Sequence, residues 1–124
     1  VSNTPYFTIL NYLRTVVALE SKTIESAEHD FSELYQMLQL HSSEEPMMNI
    51  VCFYEDDTFY TLVLPRANFR PWQYTAQGDE QLLVSPATVE MSGIFITPVR
   101  AHFERITKDD IRDILTQSTR IIWP

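Results

Sequence analysis

Two apolar runs separated by three acidic residues constrain the fold of this chain more than any other feature. Residues 49–54 and 58–64 are rich in β-branched and aromatic side chains, which are typical of strands. The connection Glu55-Asp56-Asp57 is short enough for an antiparallel hairpin. The sequence therefore predicts a fold built around antiparallel strand pairing.

Three more runs are predicted to be strands. Residues 12–20 carry apolar side chains at both parities, which is typical of a central strand covered on both faces. Residues 81–85 and 90–97 are predicted as a fourth and a fifth strand, each bounded by prolines or a turn. Gly93 lies inside the last run and indicates a bulge or a close approach of another backbone.

Two helices are predicted around these strands. The first begins after the N-cap candidates of residues 21–23 and carries apolar residues at spacings of three and four through Leu38. The second begins at Thr107, with Asp110 completing a capping box. The predicted fold class is α+β, with an antiparallel sheet of about five strands and both helices packed on it, in the order strand, helix, hairpin, strand, strand, helix.

Composition bounds the class of protein. A length of 124 residues with 44% hydrophobic residues predicts a single globular domain over residues 1–124. A net charge of −8 argues against nucleic acid as a partner, and the sequence contains no apolar run long enough to cross a membrane. Cys52 is the only cysteine, so we expect a buried thiol in a reducing, cytoplasmic compartment. Because the chain begins at Val1 rather than Met, we expect it to be cut from a longer protein.

The residue patterns of common catalytic chemistries are missing. His29, His41 and His102 are scattered, with no H-x-H spacing, and one cysteine cannot complete a zinc site, so no metal or cofactor is predicted. Adjacent acidic residues lie in predicted turns and at a helix start, where turn formation and capping account for them. The only glycines, at positions 78 and 93, form no phosphate-binding loop.

One basic and aromatic stretch, residues 64–74, is the remaining candidate for a site; we call it the arginine segment. It reads LPRANFRPWQY, within a region that has no acidic residue between positions 57 and 79. Arg66 and Arg70 could clamp an anion while Trp72 or Tyr74 stacks on a base or sugar. Arg14 on the first strand could join this arrangement or the alternative one. Alternatively, the prolines and aromatic rings form a rigid loop over the sheet edge, and the arginines pair with nearby carboxylates. Both interpretations remain open from the residues alone.

Four motifs resemble a bacterial family, the domain-of-unknown-function family numbered 4922. They are the arginine segment, EPMMNI at residues 45–50, GDEQLLVSPATVEMSGIFITP at residues 78–98 and FERITKDDIRDILTQ at residues 103–117. The resemblance covers about residues 12–117. That family is similar to the HIT-like superfamily, and within it to GDP-sugar phosphorylases and galactose-1-phosphate uridylyltransferases.

The resemblance implies a five-stranded nucleotidyl-transfer fold in which a histidine of an H-x-H motif attacks the α-phosphate of a nucleotide. That motif does not occur in this chain, so it would lie upstream of Val1. The chain would then be the C-terminal domain of a longer nucleotidyltransferase or nucleotide-sugar phosphorylase-like protein. Alone it is expected to be inactive, and the sequence leaves open whether the whole protein is an enzyme.

The resemblance also implies partners and site residues. The ligand would be a nucleotide or sugar phosphate, and the missing N-terminal half of the same protein would be a partner. Family members often carry His at the position of Phe69, so Arg66 and Arg70 are the better candidates for phosphate contacts here. The alternative is a non-catalytic interaction or dimerisation domain, in which the arginine segment contacts a protein or a second copy of the chain.

Overall fold

A computed structural model describes residues 6–8, 15–40, 42 and 44–120. Its strands are Tyr6–Thr8 (β1), Val17–Ser21 (β2), Met48–Glu55 (β3) and Thr58–Pro65 (β4). Its helices are Ile24–Gln39 (α1), Trp72–Thr75 (α2), Thr88–Met91 (α3), Arg100–Arg105 (α4) and Lys108–Ser118 (α5), with a 3₁₀ turn at Gly78–Glu80. The fold is mixed, with an antiparallel sheet, as the sequence predicts.

The described strands form one antiparallel sheet in the order β1-β2-β4-β3. The predicted hairpin is confirmed, since β3 and β4 pair from Met48 with Pro65 to Glu55 with Thr58. The two residues between them, Asp56 and Asp57, both adopt positive φ, at 47° and 55°. This is the conformation of a type I′ turn, whose twist matches that of the strands. β3 pairs only with β4 and lies at an edge of the described sheet.

Helix α1 covers one face of the sheet. It begins at the predicted place, with Thr23 as N-cap and Ser26 completing a capping box. Its apolar stripe packs on β2 and β4, because alternate strand residues point to the same face. The resulting core cluster consists of Val17, Leu19, Leu34, Leu38 and Val63.

Helices α3 and α5 cover the opposite face, so β2 is buried on both sides, as the prediction of a covered central strand requires. One cluster there joins Val16 and Leu64 to Met91 of α3 and Leu115 of α5. Helix α5 starts at the predicted capping box, where Asp110 Oδ2 accepts the Thr107 N–H at 2.8 Å. A third cluster under α5 contains Leu82, Val84 and Ile114.

The predicted strands at residues 81–85 and 90–97 are wrong. Residues 81–85 have no ladder partner among the described residues, although Leu82 and Val84 are buried. Residues 88–91 form α3, which is initiated where Glu90 Oε2 accepts the Ala87 N–H. Gly93, at φ 104°, follows this helix and is not a strand bulge. The sheet of about five strands is therefore not seen, and buried apolar alternation here reflects an irregular segment that lines the core.

Two smaller predictions also need correction. The first strand was expected over residues 12–20, but the described strand is Val17–Ser21, and residues 12–14 lie outside the described residues. Cys52 is exposed rather than buried, because β3 is an edge strand. Among the described residues, no helix combines the length and apolar character that a membrane span requires.

Candidate functional site

The arginine segment continues β4 and is joined to the chain that leaves α5. The Arg66 N–H donates to the Met47 carbonyl at 2.8 Å, and Arg66 forms an isolated antiparallel bridge with Thr119. The Ala67 N–H donates to the Ser118 carbonyl at 3.0 Å. Main-chain contacts to Met47 on one side and to Thr119 on the other therefore fix the backbone at residue 66, independently of its side chain.

The Arg66 side chain is buried, with 7% of its surface exposed. Its Nη2 donates to the carbonyls of Asn68 and Phe69, both at 2.9 Å. Nε is buried and has no hydrogen-bond partner among the described residues. The guanidinium therefore holds the backbone of its own segment at Asn68 and Phe69, and its Nε–H is left as an unused donor.

The charge of Arg66 is costly to bury and is partly balanced from α3. Burial lowers the pKa of Arg66 below its ordinary value, and the negative charge of the buried Glu90 opposes that shift. A guanidinium stays protonated at neutral pH even when its pKa is lowered, because its ordinary pKa lies far above neutrality. Arg66 is therefore a fixed positive charge inside the protein.

A cavity of about 1210 Å³ opens beside Arg66. It lies between α1, the start of β3 and the arginine segment. Its lining includes Phe31, Tyr35, Glu44, Phe69 and the exposed Arg120. Glu44 and Glu45 also line it, so its wall carries both positive and negative side chains. Aromatic rings beside arginines can hold a planar ligand that carries an anionic group.

The other residues of the predicted clamp lie elsewhere. Arg70 is exposed, and its Cζ lies 4.1 Å from the centre of the Tyr74 ring, a cation–π contact. Trp72 lines a second hollow of about 320 Å³ whose other walls are mainly acidic. Arg14 lies outside the described residues. Of the three predicted site residues that the structure describes, Arg66 alone lines the large cavity, and the binding role of all four stays a prediction.

A polar network centred on the buried Gln73 joins α2 to α5. Gln73 Nε2 donates to Asp113 Oδ2 at 2.6 Å, and Gln117 Nε2 donates both to Gln73 Oε1 and to Asp113 Oδ2. Gln117 Oε1 in turn accepts the Trp72 N–H at 2.9 Å. The arginine segment is therefore hydrogen-bonded to α5 both at Asn68 and at Trp72.

The described histidines have separate structural environments. Nδ1 of the buried His102 accepts the Leu83 N–H at 3.1 Å, which holds residues 81–85 in place of a strand ladder. His29 lies on the surface of α1 with Nε2 3.5 Å from a Glu33 carboxylate oxygen. His41 lies outside the described residues. No group of three potential metal ligands occurs among the described residues.

Comparison with protein families shows where the chain belongs. The family described as GDPGP1-like, C-terminal domain matches residues 3–119. The chain belongs to this family. Searches of curated proteins and of solved structures each gave no significant match.

The GDPGP1-like family supports the GDP-sugar phosphorylase-like part of the predicted resemblance. The resemblance to family 4922 and to the HIT-like superfamily stays a prediction. All four predicted site residues fall inside the matched range, and Arg120 lies immediately beyond it. The cavity is thus built largely, but not wholly, from residues of the family match.

Sequence reasoning missed several residues around the arginine segment. Arg120 and Tyr35 line the cavity, and Glu90 balances the charge of Arg66. Tyr35 belongs to the apolar stripe of α1, so a core position was its natural interpretation. Gln73 and Gln117 carry no local signal, because a buried amide network is recognised only when its partners are brought together.

Proposed function

We propose that this chain is the C-terminal part of a nucleotide-sugar phosphorylase-like protein and that it supplies a wall of the ligand site. The match to the GDPGP1-like, C-terminal domain over residues 3–119 carries this proposal. A relationship to the HIT-like superfamily is part of the same proposal. In a phosphorylase, inorganic phosphate cleaves the nucleotide sugar into a nucleoside diphosphate and a sugar phosphate.

The reacting group comes from another part of the protein. The sequence holds no H-x-H motif. Of the described histidines, His102 uses Nδ1 to accept a backbone N–H, and His29 lies on α1, outside the cavity lining. Neither is placed to attack a phosphate of a ligand beside Arg66.

The cavity beside Arg66 is the best place for the ligand. Its volume of about 1210 Å³ accommodates a molecule of nucleotide size. The two arginines offer charge-assisted hydrogen bonds to an anionic group, and the rings of Tyr35 and Phe69 offer faces for a base or sugar. The anionic group would lie beside Arg66 and Arg120.

Ligand-dependent thermal stability tests this assignment on the chain itself. GDP, UDP and inorganic phosphate are the probes. A ligand present at about 100 times its dissociation constant should stabilise the fold by roughly 2.7 kcal/mol. We expect at least one of the nucleotides to raise the melting temperature.

Arginine variants then locate the site. Arg120→Ala and Arg66→Lys should each remove most of the nucleotide-dependent shift. Arg112→Ala is the matched control, because Arg112 is an exposed arginine on α5 outside the cavity lining. The cavity assignment fails if no probe shifts the melting temperature, or if all three variants keep the same shift.

Activity of the whole polypeptide tests the family-level proposal separately. Phosphorolysis should be measured over a panel of nucleotide sugars, with release of sugar phosphate as the signal. We expect activity only when the segment with the H-x-H motif is present. Turnover by this chain alone would overturn its non-catalytic role.

A further inference from the structure

We infer that the exposed edge of β3 pairs with β3 of a second copy of this chain, so that the two sheets join into one. This inference concerns oligomerisation and does not depend on the proposed ligand. It rests on the exposure of β3, on the direction of its free main-chain groups, and on the way its sequence matches itself.

Strand β3 lacks the features that usually protect an edge. It is eight residues long, and within the described sheet it pairs with β4 alone. Residues 48–54 contain no charged residue and no proline, whereas natural edge strands usually carry lysines, prolines or bulges. Phe53 and Tyr54 are 42% and 57% exposed, and Ile50 and Cys52 are exposed as well.

The free hydrogen-bonding groups of this edge alternate along the strand. The Arg66 N–H bonds to the Met47 carbonyl, so odd-numbered residues of β3 direct their main-chain groups towards β4. Even-numbered residues therefore direct theirs outwards. Ile50, Cys52 and Tyr54 each offer an N–H and a C=O to a further strand.

Self-pairing of β3 about Cys52 matches side chains on both faces of the joined sheet. Antiparallel pairing about a two-fold axis at Cys52 sets Ile50 opposite Tyr54 of the second copy on one face. On the other face it sets Val51 opposite Phe53. Such aliphatic–aromatic cross-strand pairs stabilise antiparallel sheets. Cys52 then lies opposite its own copy, with Cα atoms about 5.5 Å apart.

Neighbouring registers are less favourable. A shift of the axis to Phe53 sets Val51 opposite Glu55, which places a carboxylate against an apolar side chain. A shift to Val51 sets Phe53 opposite Asn49. The register about Cys52 instead pairs Asn49 with Glu55, so apolar residues meet apolar residues and polar residues meet polar ones.

Light scattering coupled to size-exclusion chromatography measures the association. We expect a mass approaching twice the 14.5 kDa of one chain as concentration rises. Cys52→Lys places two ammonium groups opposite each other at the axis and should weaken association by about tenfold or more. Ser32→Lys, which adds the same charge at an exposed position of α1, should leave association unchanged.

Thiol cross-linking tests the register. A short bismaleimide should join two wild-type chains through Cys52. In a Cys52→Ser background, Ile50→Cys mixed with Tyr54→Cys should cross-link more efficiently than either variant alone, because equal residues then lie about 13 Å apart along the strand.

Each of these measurements can overturn the inference. A mass of one chain up to millimolar concentration would show that a second copy does not occupy this edge. Association that Cys52→Lys leaves unchanged would place the interface elsewhere on the chain. Circular dichroism melts of each variant separate lost association from lost folding.

Discussion

The sheet and the segment that follows it, residues 66–106, are held by different kinds of interaction. In the sheet, main-chain groups bond to one another along the ladders, as where the odd-numbered residues of β3 bond to β4. In the later segment, side chains replace the ladders. Arg66 binds two carbonyls of its own segment, and His102 accepts the Leu83 N–H. The Arg105 side chain likewise donates to the Gln81 carbonyl.

This difference predicts different responses to substitution. Truncating a side chain in the sheet removes buried apolar volume and leaves the ladder bonds intact. Truncating a polar side chain in residues 66–106 frees main-chain groups that are already out of water. Four variants test this contrast. They are taken in order of decreasing expected change in the free energy of unfolding.

Arg66→Ala should have the largest effect. It removes the donor for two carbonyls and leaves the buried Glu90 charge without its positive neighbour. We expect a loss of about 4 kcal/mol in the free energy of unfolding, measured by urea denaturation. Arg70→Ala, which removes only a surface contact with Tyr74, should cost no more than about 1 kcal/mol. Equal costs would contradict a structural role for Arg66.

Leu19→Ala tests the sheet. Leu19 is fully buried in the cluster between β2 and α1, so we expect a loss of about 3 kcal/mol from the removed volume and the cavity left behind. Leu40→Ala, at the exposed C-cap of α1, should be close to neutral. The contrast between regions would weaken if Leu19→Ala lost ladder protection in amide hydrogen exchange while the protein stayed folded.

Gln73→Ala tests the network between α2 and α5. Gln73 is 3% exposed, and its amide bonds to Asp113 and Gln117. We expect a loss of about 2 kcal/mol, because both partners lose a bond and the buried amide leaves a gap. Gln36→Ala, on the exposed surface of α1, is the control and should change stability little. A neutral Gln73→Ala would mean that packing alone positions α2.

Substitution in the hairpin turn should change the free energy of unfolding least, and it should increase it. Asp56 and Asp57 both adopt positive φ, which Asn and Gly tolerate better in a type I′ turn. The double change Asp56→Asn with Asp57→Gly should stabilise by about 0.5–1 kcal/mol, less a small loss from the Tyr54 hydroxyl bond to Asp57. Thermal melts measure it. A lower melting temperature would show that the lost hydrogen bond from the Tyr54 hydroxyl to Asp57 outweighs the relief of backbone strain at positive φ.

The parts of the fold that the sequence predicted are those specified by local patterns. The hairpin follows from two apolar runs and a short connection, and the helix starts follow from Thr23 and Thr107. The two wrong strands have the same apolar alternation as the correct ones. They differ in long-range partners, because Leu82 and Val84 pack under α5 and no neighbouring strand in the described sheet reaches them.

The candidate site was predicted in part for the same reason. Arg66 stood out because a basic, aromatic stretch is unusual in an acidic chain. Its cavity could not be foreseen, since the walls come from α1, the start of β3 and residue 120. Trp72 and Arg70 are close to Arg66 in sequence, but the rigid turn through Pro71 sends them to other surfaces.

The hydrogen bonds between the arginine segment and the end of α5 have a consequence for the order of folding. The hairpin closes a loop of two residues, whereas the Asn68 side chain reaches the Gln117 carbonyl across 49 positions of the chain. Closing a longer loop costs more chain entropy, so contacts between distant residues form later. We therefore expect the hairpin to form early and the cavity beside Arg66 to assemble only after α5 has docked.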